Sequence, residues 1–254
     1  MKFYLHDCNQ QERDLLENAI ELQPYFTEKS GMDLQLTQAQ IDGYEIKCQI
    51  TYGTLPQLCR ALLYVATVEQ PENVTEHCSF QDFGVMFDAS RNAVLKVETV
   101  KKLIRLAAYL GYNSVGLYME DTIRIKDEPY FGYMRGAYSE SEIQEADRYA
   151  QVFGIELRPY IQTLAHLNQI VRYEEYQKII DTDDILLADD PRTEELLEHL
   201  IGTVAKDFSS RKINIGMDEA HMVGLGKYLD KHGYTNRMEI MQKHLDMVLS
   251  ICKK

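Results

Sequence analysis

Two regimes of hydrophobic patterning divide the chain. Up to about residue 78, MKFYLHD, DLQLTQ and YEIKCQITY alternate apolar and polar positions, which predicts strands, while LPQLCRALLYVATVE carries an apolar stripe at helical spacing. Residues 1–78 are therefore expected to form a small α+β domain. The polar segment QPENVTEHCSFQDF, with Pro71, reads as the connection to the next unit. From residue 83 onward, short apolar strands alternate with amphipathic helices, the pattern of β/α units around a parallel sheet. The strands are GVMFD (84–88), SVGLYME (114–120), IELRPYIQ (155–162) and KINIGMDE (212–219). The intervening helices are VETVKKLIRLAAYLGY, with Val100, Leu103, Ile104 and Ala107 on one face, SESEIQEADRYAQVFG, and one capped by Asp190 before Pro191. RMEIMQKHLDMVLSICKK closes the chain as a further helix.

The predicted fold class is thus α/β, a small α+β domain followed by a partial (β/α) barrel of about four units over residues 79–254. A closed barrel of this kind has eight units, usually in about 250 residues. Half a barrel leaves parallel edge strands and apolar surface uncovered, so either the chain continues beyond Lys254 or a second copy closes the open side.

Strand parity then sorts the side chains. Val85 and Phe87, Val115, Leu117 and Met119, Ile155, Leu157 and Ile161, and Ile213, Ile215 and Met217 take the face toward the helices. The opposite, barrel-facing rows end in a carboxylate on three strands, Asp88, Glu120 and Asp218, and in Gln162 on the third strand, after Glu156, Arg158 and Tyr160; Glu219 lies one residue past Asp218, where the strand gives way to a loop. The C-terminal end of the strands is where α/β barrels do their chemistry. A carboxylate there also caps the turn or helix that follows, which accounts for any one of them; three at matching parity favour a shared site. Carboxylates gathered in one mouth cannot all ionise easily, and one that keeps its proton is a general acid.

Composition narrows the class of partner. The 254 residues are 45% apolar and 26% charged, enough to bury a core. A formal charge of −13 opposes nucleic acid and anionic lipid, and Arg211-Lys212 is too small a basic cluster to reverse that. No apolar run has the roughly 18 residues of a membrane span, and the N-terminus lacks the pattern of a secretory signal, so a soluble, cytoplasmic protein is expected. Five dispersed cysteines (Cys8, Cys48, Cys59, Cys78, Cys252) fit reduced thiols. The acidic run DTDDILLADD lacks calcium-loop spacing and reads as a solvated loop and cap. Tyr118 and Tyr160, on inward rows, read as barrel filling, and His221 as a loop residue. Tryptophan, a usual platform under a pyranose ring, is absent.

At IGMDEAH an apolar strand ends in Asp-Glu, which resembles the signature of the family-20 glycoside hydrolases, the retaining β-N-acetylhexosaminidases. FGVMFDASR, VGLYMED and RPYIQTLAHL resemble that family's first three barrel strands, in order; PYFGYMRGAYSESEI is similar to its loop before the second helix, and residues 43–69 to its preceding small domain. Departures are Phe83 in place of arginine, Glu120 in place of aspartate, and TLAH in place of TPGH. The resemblance implies substrate-assisted hydrolysis of terminal N-acetylglucosamine or N-acetylgalactosamine from β-N-acetylhexosaminides, without cofactor or metal. It implies Glu219 as general acid and base, Asp218 as orienter of the acetamido group, and Arg91 as the hold on sugar hydroxyls. Glu120 and His166 take supporting places, with Asp88 and Asp121 beside them. It also puts the tryptophans in the barrel's other half, so that this chain alone is an incomplete site of little activity. Two rivals stand beside it: a metal-dependent barrel hydrolase using Asp88, Glu120, His166 and Asp218, and a non-catalytic sugar-binding or assembly module made of dimerised half-barrels.

Overall fold

The computed structural model describes residues 2–27, 31–68 and 73–254, which divide into two compact units. The first comprises Met1–Val85, Lys96–Val115 and Glu145–Leu157; the second comprises Met86–Leu95, Gly116–Gln144 and Arg158–Lys254. Pro71, expected in the connection, lies outside the described residues, as does Met1 of the first predicted strand.

The chain opens with β1 (Phe3–His6), α1 (Gln10–Asn18), β2 (Phe26–Thr27), β3 (Met32–Gln38), β4 (Gly43–Ile46), β5 (Gln49–Tyr52), α2 (Leu55–Thr67) and β6 (Val74–His77). Its strands make one six-stranded mixed sheet, ordered β2-β1-β3-β5-β4-β6. Three features differ from the sequence reading. YEIKCQITY is not one strand but two, turning at Lys47–Cys48 so that Ile46 pairs with Ile50. Helix α1 was not signalled; a capping box, Asn9 with Glu12, starts it. VTEH, read as part of a connection, is an edge strand antiparallel to β4, polar because only one of its faces packs. Helix α2 behaves as its stripe predicts: Thr54 and Gln57 form a capping box, and Leu58, Cys59, Ala61, Leu62 and Val65 are buried against β4, β5 and the next helix.

The β/α portion continues as β7 (Gly84–Asp88), α3 (Val97–Tyr109), β8 (Ser114–Tyr118), α4 (Glu140–Val152) and β9 (Glu156–Tyr160), with the strands side by side in the order β7-β8-β9. Asn113 N–H bonds Phe83 O near the strand starts and Ala89 N–H bonds Tyr118 O near their ends, so β7 and β8 run parallel. The same holds for β8 and β9, through Glu156 N–H to Asn113 O and Met119 N–H to Tyr160 O. Every residue of β8 is buried, as expected of a parallel strand covered on both faces. Gly116 makes room for Tyr160, whose ring a Cβ there would strike at 2.4 Å, so Tyr160 is filling as the parity suggested. On β7 the barrel-facing Met86 is 50% exposed.

Residues 212–219 run beside β9 without becoming a regular strand. Asn214 bridges Tyr160 in parallel, and Ile161 and Thr163 N–H groups donate to Asn214 O and Gly216 O at 2.9 Å each. Two local features break the extended geometry. Gly216 has φ +52, and the Asn214 side chain takes the Gly216 N–H at 3.0 Å in place of a further ladder bond. Met217 still packs against the core of Leu164, Ala165, Val223 and Ile240, which sends Asp218 the other way.

The second unit is completed by α5 (Glu174–Gln177), the small antiparallel pair β10 (Ile180–Thr182) and β11 (Ile185–Leu186), and α6 (Pro191–Asp207), α7 (Lys227–His232) and α8 (Arg237–Cys252). Asp190 caps α6 by accepting from Arg192 N–H at 2.9 Å, and α6 packs on α8. A buried knot closes the long excursions from the strand ends. Glu128, fully buried, accepts from Arg192 at 2.8 and 2.5 Å, from Tyr176 OH at 3.0 Å, and sits 2.9 Å from His199 Nδ1. Burial raises its pKa, but the bonds from Arg192, His199 and Tyr176 outweigh that and hold it below the usual glutamate value.

Candidate active site

The turn leaving β7 sets the first group. Asp88 Oδ1 accepts the N–H groups of Ser90 at 2.8 Å and Arg91 at 3.0 Å, a side-chain turn that fixes where Arg91 starts. Asp88 therefore does the capping job open to any strand-end carboxylate, and Arg91 Nη1 lies 3.8 Å from its other oxygen. The Arg91 guanidinium lies over the Tyr118 ring at 5.0 Å and donates to Glu120 Oε1 at 3.3 Å and Tyr118 OH at 3.2 Å. Its side chain remains 53% exposed, with donors free to meet a ligand.

Behind Arg91 is a buried layer. Glu120 accepts from Ser90 Oγ at 2.8 Å and Tyr118 OH at 3.1 Å. Asp121, also buried, is held by Arg135 Nε at 3.1 and 3.2 Å, and Arg135 returns to the Ser90 carbonyl at 2.8 Å. Burial raises the pKa of Asp121, with Arg135 opposing. Burial is likewise the main reason Tyr118 is pushed up to about 12, so its hydroxyl stays protonated and donates to Glu120 while accepting from Arg91 and Gln162.

Gln162 links this layer to the last carboxylates. Its amide nitrogen donates to Tyr118 OH and to Asp218 Oδ1, both at 3.0 Å. His166 Nε2 is 3.3 Å from Asp218 Oδ2 and 3.5 Å from Glu219 Oε2, within attraction of both but aligned with neither as a hydrogen bond. Partial burial raises the Asp218 pKa, yet the bond from Gln162, a backbone N–H and His166 together hold it below the usual aspartate value. His166 and Glu219 have φ +59 and +57, left-handed conformations costing about 1 kcal/mol or more each in a non-glycine residue. The side chains of Asp218 and Glu219 are 61% and 67% exposed, presented to an incoming molecule.

The second unit thus brings Arg91, Glu120, His166, Asp218 and Glu219 into one chain of contacts, with Asp121 behind it and Asp88 confined to the turn. Among the described residues no cluster of three or more His, Cys, Asp or Glu side chains could hold a metal ion. Sequence reasoning missed four contributors. Tyr118 and Gln162 stood on inward rows, a signal that located them without revealing their bonds; Ser90 and Arg135 lie in loops and gave no signal.

No protein-family model and no curated protein matches the sequence. Solved structures do match. An exo β-N-acetylglucosaminidase of glycoside hydrolase family 20 from Vibrio harveyi aligns with a TM-score of 0.78 at 17% identity, over 98% of this chain and 50% of that one. The chitobiase of Flavobacterium johnsoniae gives 0.76 at 17% over 100% and 48%, and the family-20 β-N-acetylhexosaminidase of Streptomyces coelicolor gives 0.75 at 19% over 98% and 59%. The fold is that of family-20 glycoside hydrolases. This chain spans about half the length of the family-20 structures it matches, a mixed α/β architecture with a partial barrel. Among the described residues no helix is long and apolar enough to cross a membrane.

Proposed function

We propose that the chain contributes the first half of the site of a retaining, substrate-assisted β-N-acetylhexosaminidase, with residues 1–78 as its preceding domain and 79–254 as half of its barrel. The supporting observation is the Gln162 bridge, which ties Asp218 to the Tyr118–Arg91–Glu120 layer while Asp218 and Glu219 project side by side past His166.

In this reading Glu219 protonates the departing glycosidic oxygen and later deprotonates water. Asp218, kept ionised by Gln162, accepts the acetamido N–H and turns the acetamido oxygen toward the anomeric carbon, where it acts as the nucleophile; the carboxylate then stabilises the oxazolinium-like charge. Arg91 offers its exposed donors to vicinal hydroxyls, and Tyr118 and Glu120 keep the guanidinium in place. Dispersed free cysteines favour a cytoplasmic setting. The substrate is a neutral glycoside or oligosaccharide ending in N-acetylglucosamine or N-acetylgalactosamine.

The test is Glu219→Gln in the native protein. Turnover of a chitooligosaccharide, with a poor leaving group, should collapse while a 4-nitrophenyl glycoside is far less affected; equal losses on both exclude the acid role. The open, Met86-bearing row of β7 favours a second reading, an assembly module closed by a twin copy. A dimeric mass by light scattering with no hydrolysis of either substrate would select it.

A further inference from the structure

Two tyrosines and a methionine stand exposed, beside a half-buried third tyrosine, at the end of the second unit that carries the carboxylates, and the proposed chemistry uses none of them. Tyr130 and Tyr133 lie in the excursion between β8 and α4, and Tyr173 lies in the one after β9; both leave the strands' C-terminal ends, as Glu120 and His166 do. Tyr130 stacks on Tyr173 at 5.1 Å between centroids, and Tyr133 meets both edge-on, at 5.9 and 6.0 Å. Tyr130 is 44% exposed, Tyr133 51% and Met134 87%.

So much exposed aromatic surface is unusual on a loop unless the loop is held to present it. Here it is held at several points. Phe131 is buried edge-on against Tyr176, and the neighbouring Glu128 is tied into the knot with Arg192 and His199. Gly132, at φ +69, passes so close that a Cβ would strike Asp121 O at 2.4 Å. Arg135, two residues past Tyr133, grips Asp121 and the Ser90 carbonyl, and Ser90 in turn bonds Glu120 behind Arg91. One network therefore sets the register of the aromatic loop and that of the candidate sugar-holding arginine.

We propose that Tyr130, Tyr133 and Tyr173 form a stacking platform for the sugar units beyond the scissile bond, so that the preferred substrate is a neutral β-linked oligosaccharide rather than a glycoside with a small aglycone. The proposal rests on the hexosaminidase reading of the site. Flat rings bearing hydroxyls at their edges suit a pyranose, whose C–H face packs on the ring while its equatorial hydroxyls reach water or a phenol. The chain has no tryptophan to serve instead.

The experiment compares binding of N-acetylglucosamine and of chitotetraose to the intact chain, followed by aromatic and backbone NMR shifts, in wild type, Tyr130→Ala and Tyr133→Ala. The wild type should bind the tetrasaccharide more tightly than the monosaccharide, with shifts at Tyr130, Tyr133 and Tyr173. Each substitution should cut the ratio of the two affinities by roughly threefold to tenfold, the worth of one aromatic stacking contact. Monosaccharide binding near Arg91 and Asp218 with no gain for the tetrasaccharide overturns the platform and leaves the site reading intact. Failure of both sugars to shift any residue overturns both. A mass increase with concentration that Tyr130→Ala abolishes, without sugar-induced shifts, assigns the surface to a second copy and also overturns the proposal.

Discussion

Gln162→Glu replaces one bridging amide by a carboxylate of nearly the same shape and reverses the electrostatics of the site. In the native arrangement the Gln162 N–H group donates to Asp218 Oδ1 at 3.0 Å and helps hold the Asp218 pKa below its ordinary value. A second negative charge at about 4 Å is worth about 4 kcal/mol of repulsion at an effective dielectric near 20. Because the Asp218 side chain is 61% exposed, solvent screening leaves only a fraction of that, about 1–2 kcal/mol, or roughly one pKa unit. Linkage sets the sign. A depressed carboxylate stabilises the fold above its unfolded pKa, and that contribution fades as pH falls through the folded value. The variant pair, with its pKa raised, should be less stable than the native protein at neutral pH and recover as the pair takes up a proton. A carbon-detected NMR titration of the carboxyl groups reads the pKa directly, and the acid limb of kcat/KM should move up by about one unit with it. An unshifted Asp218 titration and an unchanged acid limb would refute the idea that Gln162 sets the ionisation of this carboxylate.

Two further outcomes concern the frame around the site. Gly216→Ala puts a Cβ 2.2 Å from Ile161 O at φ +52, so it should lose about 2 kcal/mol or more in urea unfolding and displace Asp218; a neutral result would mean that residues 214–218 do not run beside β9 as described. Arg192→Ala strands the buried Glu128 carboxylate, and the expected cost is roughly 3 kcal/mol, lowering Tm by roughly 6–12 °C; a loss under about 1 kcal/mol would show the knot to be dispensable.

How far the sequence spoke depended on the range of the forces involved. Helices α2 and α3 were legible because their apolar stripes are local and strong, and the start of α6 because Asp190 before Pro191 is a local cap signal. The turn at Lys47–Cys48 was not, since it interrupts a continuous β-forming run without glycine, and VTEH at the sheet edge is too polar to announce a strand. Residues 212–219 carry strand-like alternation, but Gly216 and the Asn214 side chain divert the backbone locally, leaving one bridge. At the site, parity located the inward rows and so drew Glu120 and Asp218 toward one mouth. It had no access to lateral register, and so missed that Gln162 would span Tyr118 and Asp218, or that Arg135 would reach back to Ser90. Asp88 shows the converse, a strand-end acid whose local turn bonds take precedence over the shared site.

In the proposed mechanism the substrate's own acetamido group, steered by Asp218, is the nucleophile. That role is tested most directly with 4-nitrophenyl 2-acylamidoglucosides whose acyl group is acetyl, fluoroacetyl, difluoroacetyl or trifluoroacetyl, assayed with the native protein. With acetamido participation kcat/KM should fall steeply with each added fluorine, as the carbonyl oxygen loses nucleophilicity. Turnover that is indifferent to fluorination would place the nucleophile on the protein or on water and contradict it.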